Sequence, residues 1–329
     1  MLEHGGNLRA AARAYGRPVE DWLDLSAGLN PHYYRAPACA DNAWHRLPEV
    51  DDALLRAACA FYGAPHMLAV AGTQAAIQVL PHLRAPSRVV VAAPSYAEHA
   101  HHWRRHGHTL REVAYTDLEA AVATCDVLVV CNPNNPTGAT VPAATLLDWA
   151  ARLAARGGWL IVDEAFADTA PVDSVAAHSA QPGLIVLRSL GKFFGLAGVR
   201  VGFVGAAPTL LMQLADWLGP WTVSGPAQQV ARAALADRAW HAATRDKLAS
   251  YGERLRTLLA SHGVASSGTD LFQWWPTPHA VAFHAHMAER GIWVRLFTNA
   301  AHGIRLGLPP DDTAWRRLAQ ALTDWTRTT

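Results

Sequence analysis

The sequence predicts an α/β protein, with a large domain built on a mostly parallel sheet and a smaller α+β domain. Three observations predict it: short continuous Val/Ile/Leu runs recur as far as residue 205, helical patterns separate several of them, and the rhythm changes after about residue 215. The runs are RVVVA at 88–92, DVLVV at 126–130, WLIVD at 159–163, LIVLR at 184–188 and VRVGFVG at 199–205. A strand that is apolar on both faces has no solvent side, as in a parallel sheet covered by helices. PAATLLDWAARLAAR, residues 142–156, repeats its apolar positions at helical spacing and supplies such a cover. Beyond 215 come a long helical stretch at roughly 226–261, the apolar run LFQWW, a helix near 278–290, the strands GIWVRL and GIRLGL, and a last helix from Asp311. This order sets the large domain at 31–215 and the smaller one at 1–30 plus 216–329.

At 329 residues, 51% hydrophobic and 17% charged, the chain can bury a large core. A formal net charge of +1, from 28 basic and 27 acidic residues, provides no global field toward nucleic acid or an anionic membrane surface. There is no basic stripe of a nucleic-acid module. The start, MLEHGGNLRAAARAYG, lacks the apolar core of a secretory signal, and nowhere do eighteen apolar residues run together without a charge; the expectation is a cytoplasmic protein with no membrane partner. Cys39, Cys59, Cys125 and Cys131 are scattered without a CxxC pair and read as reduced structural thiols. The histidines of EHAHHWRRHGH, at 99, 101, 102, 106 and 108, read as a polar helix face rather than a metal site, so no metal is expected.

Only two lysines, Lys192 and Lys247, occur among the 28 basic residues. An ammonium group can lose its proton and attack a carbonyl near neutral pH, whereas a guanidinium cannot. Lys247 lies in TRDKLASYGERLRTLL, an amphipathic helical pattern, and reads as a solvated charge. Lys192 lies in RSLGKFFGLAGVRVGF, between two strand-like runs and amid glycines. In open α/β sheets ligands bind beyond the carboxyl ends of the strands. Three successive strand ends here deliver CNPNNPTG, Asp163 with Glu164-Ala165-Phe166, and Ser189-Leu190-Gly191-Lys192.

The segments NPNNPTG, VDEAF and SLGKFFGLAGVRVGF, with 28 residues from Asn135 to Asp163 and 29 from Asp163 to Lys192, resemble the signature segments of fold-type I pyridoxal-phosphate (PLP) enzymes of the aminotransferase class I/II group. The resemblance implies an aminotransferase-like fold, PLP as cofactor, and a homodimer with its active site between subunits. It implies that Lys192 carries PLP as a Schiff base, that Asp163 pairs with the pyridine nitrogen and that Asn135 hydrogen-bonds the ring oxygen. Those residue types suit the chemistry. PLP takes up electrons from a bond broken at the substrate α-carbon, a protonated ring nitrogen makes it a better sink, and a buried carboxylate keeps the proton there. AVAGTQAAIQVL reads as a strand end and Gly turn opening a helix, whose N–H groups favour a phosphate, so Gly72, Thr73 and Gln74 form the expected cradle. Ser189 and Arg200 match the positions that complete it, and Tyr96 matches the aromatic over the pyridine ring.

The N-terminal stretch EHGGNLRAAARAYGRPVEDWLDLSAGLNP and the segment WHRLPEV resemble the threonine-phosphate decarboxylase-like family of cobalamin biosynthesis. That family converts L-threonine O-3-phosphate to (R)-1-amino-2-propanol O-2-phosphate. The resemblance implies that Arg305 pairs with the substrate α-carboxylate, and that Arg295 and His4 approach its phosphate. The sequence departs from the pattern at Phe166 and Leu47, where relatives often carry Tyr, at Gly191, where many carry Ser or Thr, and at Gly28, where some decarboxylases carry Asn. An aminotransferase of histidinol-phosphate type would use the same Lys192, Asp163, Asn135 and Arg305, and no motif reports which α-carbon bond is broken. A PLP-binding protein without turnover is a third reading. A nicotinamide dehydrogenase is disfavoured because no strand is followed by GxGxxG.

Overall fold

The computed structural model describes residues 5–298 and 301–328. The chain divides into two compact units, one of Tyr33–Asn135 with Ala139–Ala243, the other of Met1–His32, Pro136–Gly138 and Thr244–Thr329.

The first unit is organised by a seven-stranded sheet of Met67–Val70 (β1), Arg88–Ala93 (β2), Thr109–Ala114 (β3), Val127–Cys131 (β4), Trp159–Asp163 (β5), Leu184–Ser189 (β6) and Gly202–Gly205 (β7). Their spatial order is β1-β7-β6-β5-β4-β2-β3, and every pair is parallel except those made by β7, so the sheet is mostly parallel, as the sequence predicts. The strands β4, β5 and β6 are buried almost throughout. Val127, Val129, Ile161, Ile185 and Leu187 pack into one core with Ile77, Leu80, Trp103 and Leu214 from the covering helices. Each such side chain contributes roughly 1.5–3 kcal/mol by leaving water.

One strand escapes sequence reading and another starts late, each for a physical reason. The segment β3 lies at the sheet edge, reads TLREVA and exposes most of its residues, so it lacks an apolar run. Strand β7 starts later than VRVGFVG suggests, because Ala197–Val199 forms a 3₁₀ turn and Arg200 takes the left-handed conformation with φ 59°.

In the second unit Ser267–Thr269 (β8), Phe272–Pro276 (β9), Arg295–Phe297 (β10) and Gly303–Gly307 (β11) form an antiparallel sheet in the order β10-β11-β9-β8. Helices Ala280–Glu289 and Asp312–Thr328 also belong to this unit. GIWVRL splits: Ile292–Trp293 pairs in parallel with Leu23–Asp24, and only Arg295–Phe297 joins the four-stranded sheet. The helical stretch expected at roughly 226–261 is two helices, Gly225–Ala236 and Arg238–Ser261, because Asp237 leaves the helical conformation and its Oδ1 accepts the Trp240 N–H as a new cap. All four cysteines are free thiols. Among the described residues no helix is long and apolar enough to cross a membrane.

Gly138, the last residue of NPNNPTG, has φ +72°, and a Cβ there would lie 2.4–2.5 Å from backbone atoms of Gly268. Gly138→Ala therefore combines a strained φ with a backbone collision and should lower unfolding free energy by about 2–4 kcal/mol. Urea unfolding that matched the unsubstituted protein would show that the turn relaxes instead.

Candidate active site

The carboxyl ends of β4, β5 and β6 open onto a cleft of the first unit lined by Gly72, Thr73, Gln74, Tyr96, Asn135, Asp163, Ser189, Lys192 and Arg200. These are all nine of the residues assigned to cofactor and catalysis from sequence, and each arrives by a local device. In CNPNNPTG the asparagines divide the work. The Asn132 side chain braces the loop by donating from Nδ2 to the Val141 carbonyl at 3.0 Å and accepting the Val141 N–H at 2.7 Å. Asn134 donates to the Pro94 carbonyl at 2.9 Å, tying the loop to the end of β2, and Asn135 lines the cleft.

Asp163 closes β5 and is 5% exposed. Its Oδ1 accepts the Ala165 N–H at 3.0 Å, and its Oδ2 lies 2.9 Å from His99 Nε2. Burial alone would lower the His99 pKa, but hydrogen bonds to Asp163 and Cys131 raise it to about 10, so His99 is an imidazolium at neutral pH. The ligand atoms of His99, Cys131 and Asp163 lie within 4.8 Å of one another.

On the next strand, Ser189 Oγ accepts the Gly191 N–H at 3.2 Å, and Lys192 follows with Nζ 5.1 Å from the Phe166 ring centroid. Phe166, where the resemblance leads one to expect Tyr, thus presents an aromatic face to the lysine instead of a hydroxyl. At Gly191 a Cβ would sit 3.3 Å from Ser189 Oγ and 3.4 Å from Ala197 Cα, so a larger residue needs the neighbouring chain to give way. Lys247, by contrast, is exposed on its helix beside Tyr251.

The cradle at Gly72 is sterically exacting. Gly72 has φ +74°, and a Cβ there would lie 2.7 Å from Arg200 Nη2. Gly202 presses equally close, its Cβ position 2.6 Å from the Thr73 backbone nitrogen. Tyr96 donates to Gln74 Oε1 at 3.2 Å, and Gln74 Nε2 donates to Glu98 Oε2 at 2.7 Å. Burial, then the charges of Glu98 and Asp163, push the Tyr96 phenol well above its usual range, so it stays protonated. A glycine cradle closed by a guanidinium, beside a buried carboxylate paired with an imidazolium, fits the phosphate and the ring nitrogen of PLP.

Arg305 on β11 and Arg295 on β10 belong to the second unit and stand directly opposite each other. Arg305 is 5% exposed and donates to the Ser26 carbonyl at 2.6 Å. Burial, then the charge of Arg295, lower its pKa to about 9, against an opposing pull from Asp24. Gly28 has φ +60°, a conformation that Gly and Asn accept best. His4 lies outside the described residues.

A family model described as aminotransferase class I and II matches residues 20–322. The chain belongs to the class I and II aminotransferase family. It is similar to the threonine-phosphate decarboxylase of Pseudomonas aeruginosa, 53% identical over 98% of this chain and 97% of that protein. It is also similar to the threonine-phosphate decarboxylase of a Sinorhizobium species, 44% identical over 98% of this chain and 97% of that one. Its fold matches a histidinol-phosphate aminotransferase from Sinorhizobium meliloti, solved with pyridoxal-5'-phosphate, with TM-score 0.82 and 22% identity over 99% of this chain and 96% of that one.

In this class I and II aminotransferase family member the sequence reading of EHAHHWRRHGH needs correction. The segment is not a polar helix face: Glu98, His99, Ala100, His102 and Trp103 are buried, and His99 touches the candidate active-site carboxylate. The signal was available in Ala100 and Trp103, apolar residues one and four positions after His99, which mark that side of the helix as inward. Also missed was a buried ion cluster in which Arg188 pairs with both Glu164 and Asp168. No spacing rule links those three residues.

The raised pKa of His99 makes its stabilising effect complete below about pH 6.5, the unfolded value, and lost as pH rises toward 10. His99→Gln keeps a neutral donor near Asp163 without the charge. The stability gap between the two proteins should be on the order of a few kcal/mol at pH 6 and should close by pH 10. A gap that stays constant across that range would show that His99 is neutral in the folded protein.

Proposed function

We propose that this chain is a PLP-dependent lyase, a threonine-phosphate decarboxylase that converts L-threonine O-3-phosphate to (R)-1-amino-2-propanol O-2-phosphate and CO2 in cobalamin biosynthesis. The observation that carries this reading is the 53% identity to the Pseudomonas aeruginosa decarboxylase across 98% of the chain. The adjacent pair Arg295 and Arg305 suits a substrate with two anionic ends.

When bound, PLP supplies an electron sink for the pair released at the substrate α-carbon. Lys192 would hold the cofactor through Nζ, and its amine, when free, would carry a proton to the substrate α-carbon. Asp163, oriented by His99, would hold a proton on the pyridine nitrogen, and Asn135 would bond the ring oxygen. Gly72, Thr73, Gln74, Ser189 and Arg200 would bind the cofactor phosphate, and Tyr96 would pack against the ring. Arg305 binds the α-carboxylate, and Arg295 and His4 bind the substrate phosphate. The reading assigns cofactor binding to a domain at about 31–215 and substrate anions to one made of 1–30 and 216–329. It includes a cytoplasmic homodimer: Trp44, Leu47 and Val50 are 75%, 65% and 73% exposed, apolar surface that suits burial against a second copy.

The purified enzyme should release CO2 from L-threonine O-3-phosphate without any keto acid acceptor. Borohydride should fix the cofactor to the peptide containing Lys192, and Lys192→Ala should abolish turnover while Lys247→Ala changes it little. Cofactor accumulating in the amine form with no CO2 would replace the decarboxylase reading with the aminotransferase one.

The arginines separate by substrate. Arg305→Ala should weaken threonine phosphate and unphosphorylated threonine alike, while Arg295→Ala and His4→Ala should hurt only the phosphorylated substrate, by roughly 1.5–3 kcal/mol each. Equal losses on both substrates would remove Arg295 and His4 from the phosphate site.

A further inference from the structure

Trp274, Arg305 and Arg295 form one row across three neighbouring strands of the second unit. The register pairs Trp274 on β9 with Arg305 on β11, and Arg305 with Arg295 on β10. Directly opposed residues of antiparallel strands project from the same face, with Cβ atoms roughly 4.5–5.5 Å apart. The alternate residues of β9 face the other way: Trp275 packs edge-on against Phe283 of Ala280–Glu289, with ring centroids 5.4 Å apart, and Gln273 is fully buried. Phe272 shares the face of Trp274, and Arg305 Cζ lies 5.3 Å from its ring centroid.

Two features of the row call for an acceptor. Arg295 and Arg305 are like charges set opposite each other, and burial with that neighbour lowers Arg305 to about 9. Beside them, the indole N–H of Trp274 is buried and has no hydrogen-bond partner among the described residues. An indole nitrogen only donates, and a buried donor left unpaired costs about 1–3 kcal/mol. The neighbouring side chains of the row, two guanidinium groups, are donors as well. Ser267, paired with Trp274 on the far side, commits its hydroxyl to the Thr137 carbonyl at 2.8 Å.

We propose that Trp274 is a substrate-binding residue whose indole N–H, together with Arg305, holds the α-carboxylate of the substrate. This rests on the assignment of Arg305 to that carboxylate. Trp274 flanks Arg305 on the side away from Arg295, so the carboxylate is gripped between Trp274 and Arg305 while the phosphate goes to Arg295. A planar carboxylate offers four lone-pair directions, enough for a guanidinium fork and one further N–H.

The test uses Trp274→Phe, which keeps the aromatic packing and removes the donor. L-threonine and 1-amino-2-propanol differ only by the carboxylate, and their binding to the holoenzyme is read from the change in cofactor absorbance. The variant should bind L-threonine at least tenfold more weakly while 1-amino-2-propanol binds unchanged, which also reports an intact fold. KM for L-threonine O-3-phosphate should rise by a similar factor. Unchanged preference for L-threonine over the amine, or equal weakening of both, would overturn the assignment of Trp274. Wild-type enzyme that fails to decarboxylate L-threonine O-3-phosphate, while the variant still loses its preference for the carboxylate, would overturn the decarboxylase reading and leave Trp274 in place.

Discussion

Asp163 ends a parallel strand buried on both faces, where a carboxylate without a partner is costly to keep. Its partner His99 resolves this. The imidazolium is itself buried, 2.9 Å away, and approaches from a helix that packs on the sheet through Ala100 and Trp103. The carboxylate therefore depends on the helix Ala97–Arg105 being docked, and the docking depends on the hydrophobic core beneath it. The same helix contributes Glu98, which accepts from Gln74, so the Asp163 and Gln74 ends of the cleft share one support. The arrangement links packing to chemistry, because shifting that helix would disturb Asp163 and Gln74 together.

A second buried cluster steadies the strand ends that carry Asp163 and Lys192. Glu164 follows Asp163 and Arg188 precedes Ser189, and alternation along a strand sends neighbouring side chains to opposite faces. Arg188 pairs there with Glu164 and Asp168, and Ser174 Oγ donates to Glu164 Oε2 at 2.6 Å. Removing the guanidinium would strand two buried carboxylates, the costly way to break such a cluster. The cleft residues on one face and the ion cluster on the other thus hold the ends of β5 and β6 in fixed register.

The second unit handles charge differently. Where Asp163 has a cation of its own, Arg305 has a like-charged neighbour, and the Ser26 carbonyl and Asp24 offset part of the cost of its burial. A protein that keeps two adjacent cations and an indole donor on one sheet face is preorganised for an anion, at some expense of its own stability.

The sequence by itself determined the parallel sheet and the cleft, because both are local in the chain. Five apolar runs mark five strands, and motifs at strand ends place Asn135, Asp163 and Lys192 on one side, since ligands bind there in any such sheet. Lys192 could be singled out from Lys247 by its surroundings alone, one amid glycines and the other on an amphipathic helix. Tertiary structure decided what depends on pairing between distant segments. His99 meets Asp163 across 64 positions, Arg188 meets Glu164 across 24, and Trp274 meets Arg305 only through the register of two strands. Histidine on a helix looks polar until its partner is in place, and edge strand β3 looks like a loop until β2 supplies its hydrogen bonds. Local pattern encodes which face a residue takes, but the identity of the group across from it is fixed only when separate segments pack, and the protonation and binding of these residues follow from that packing.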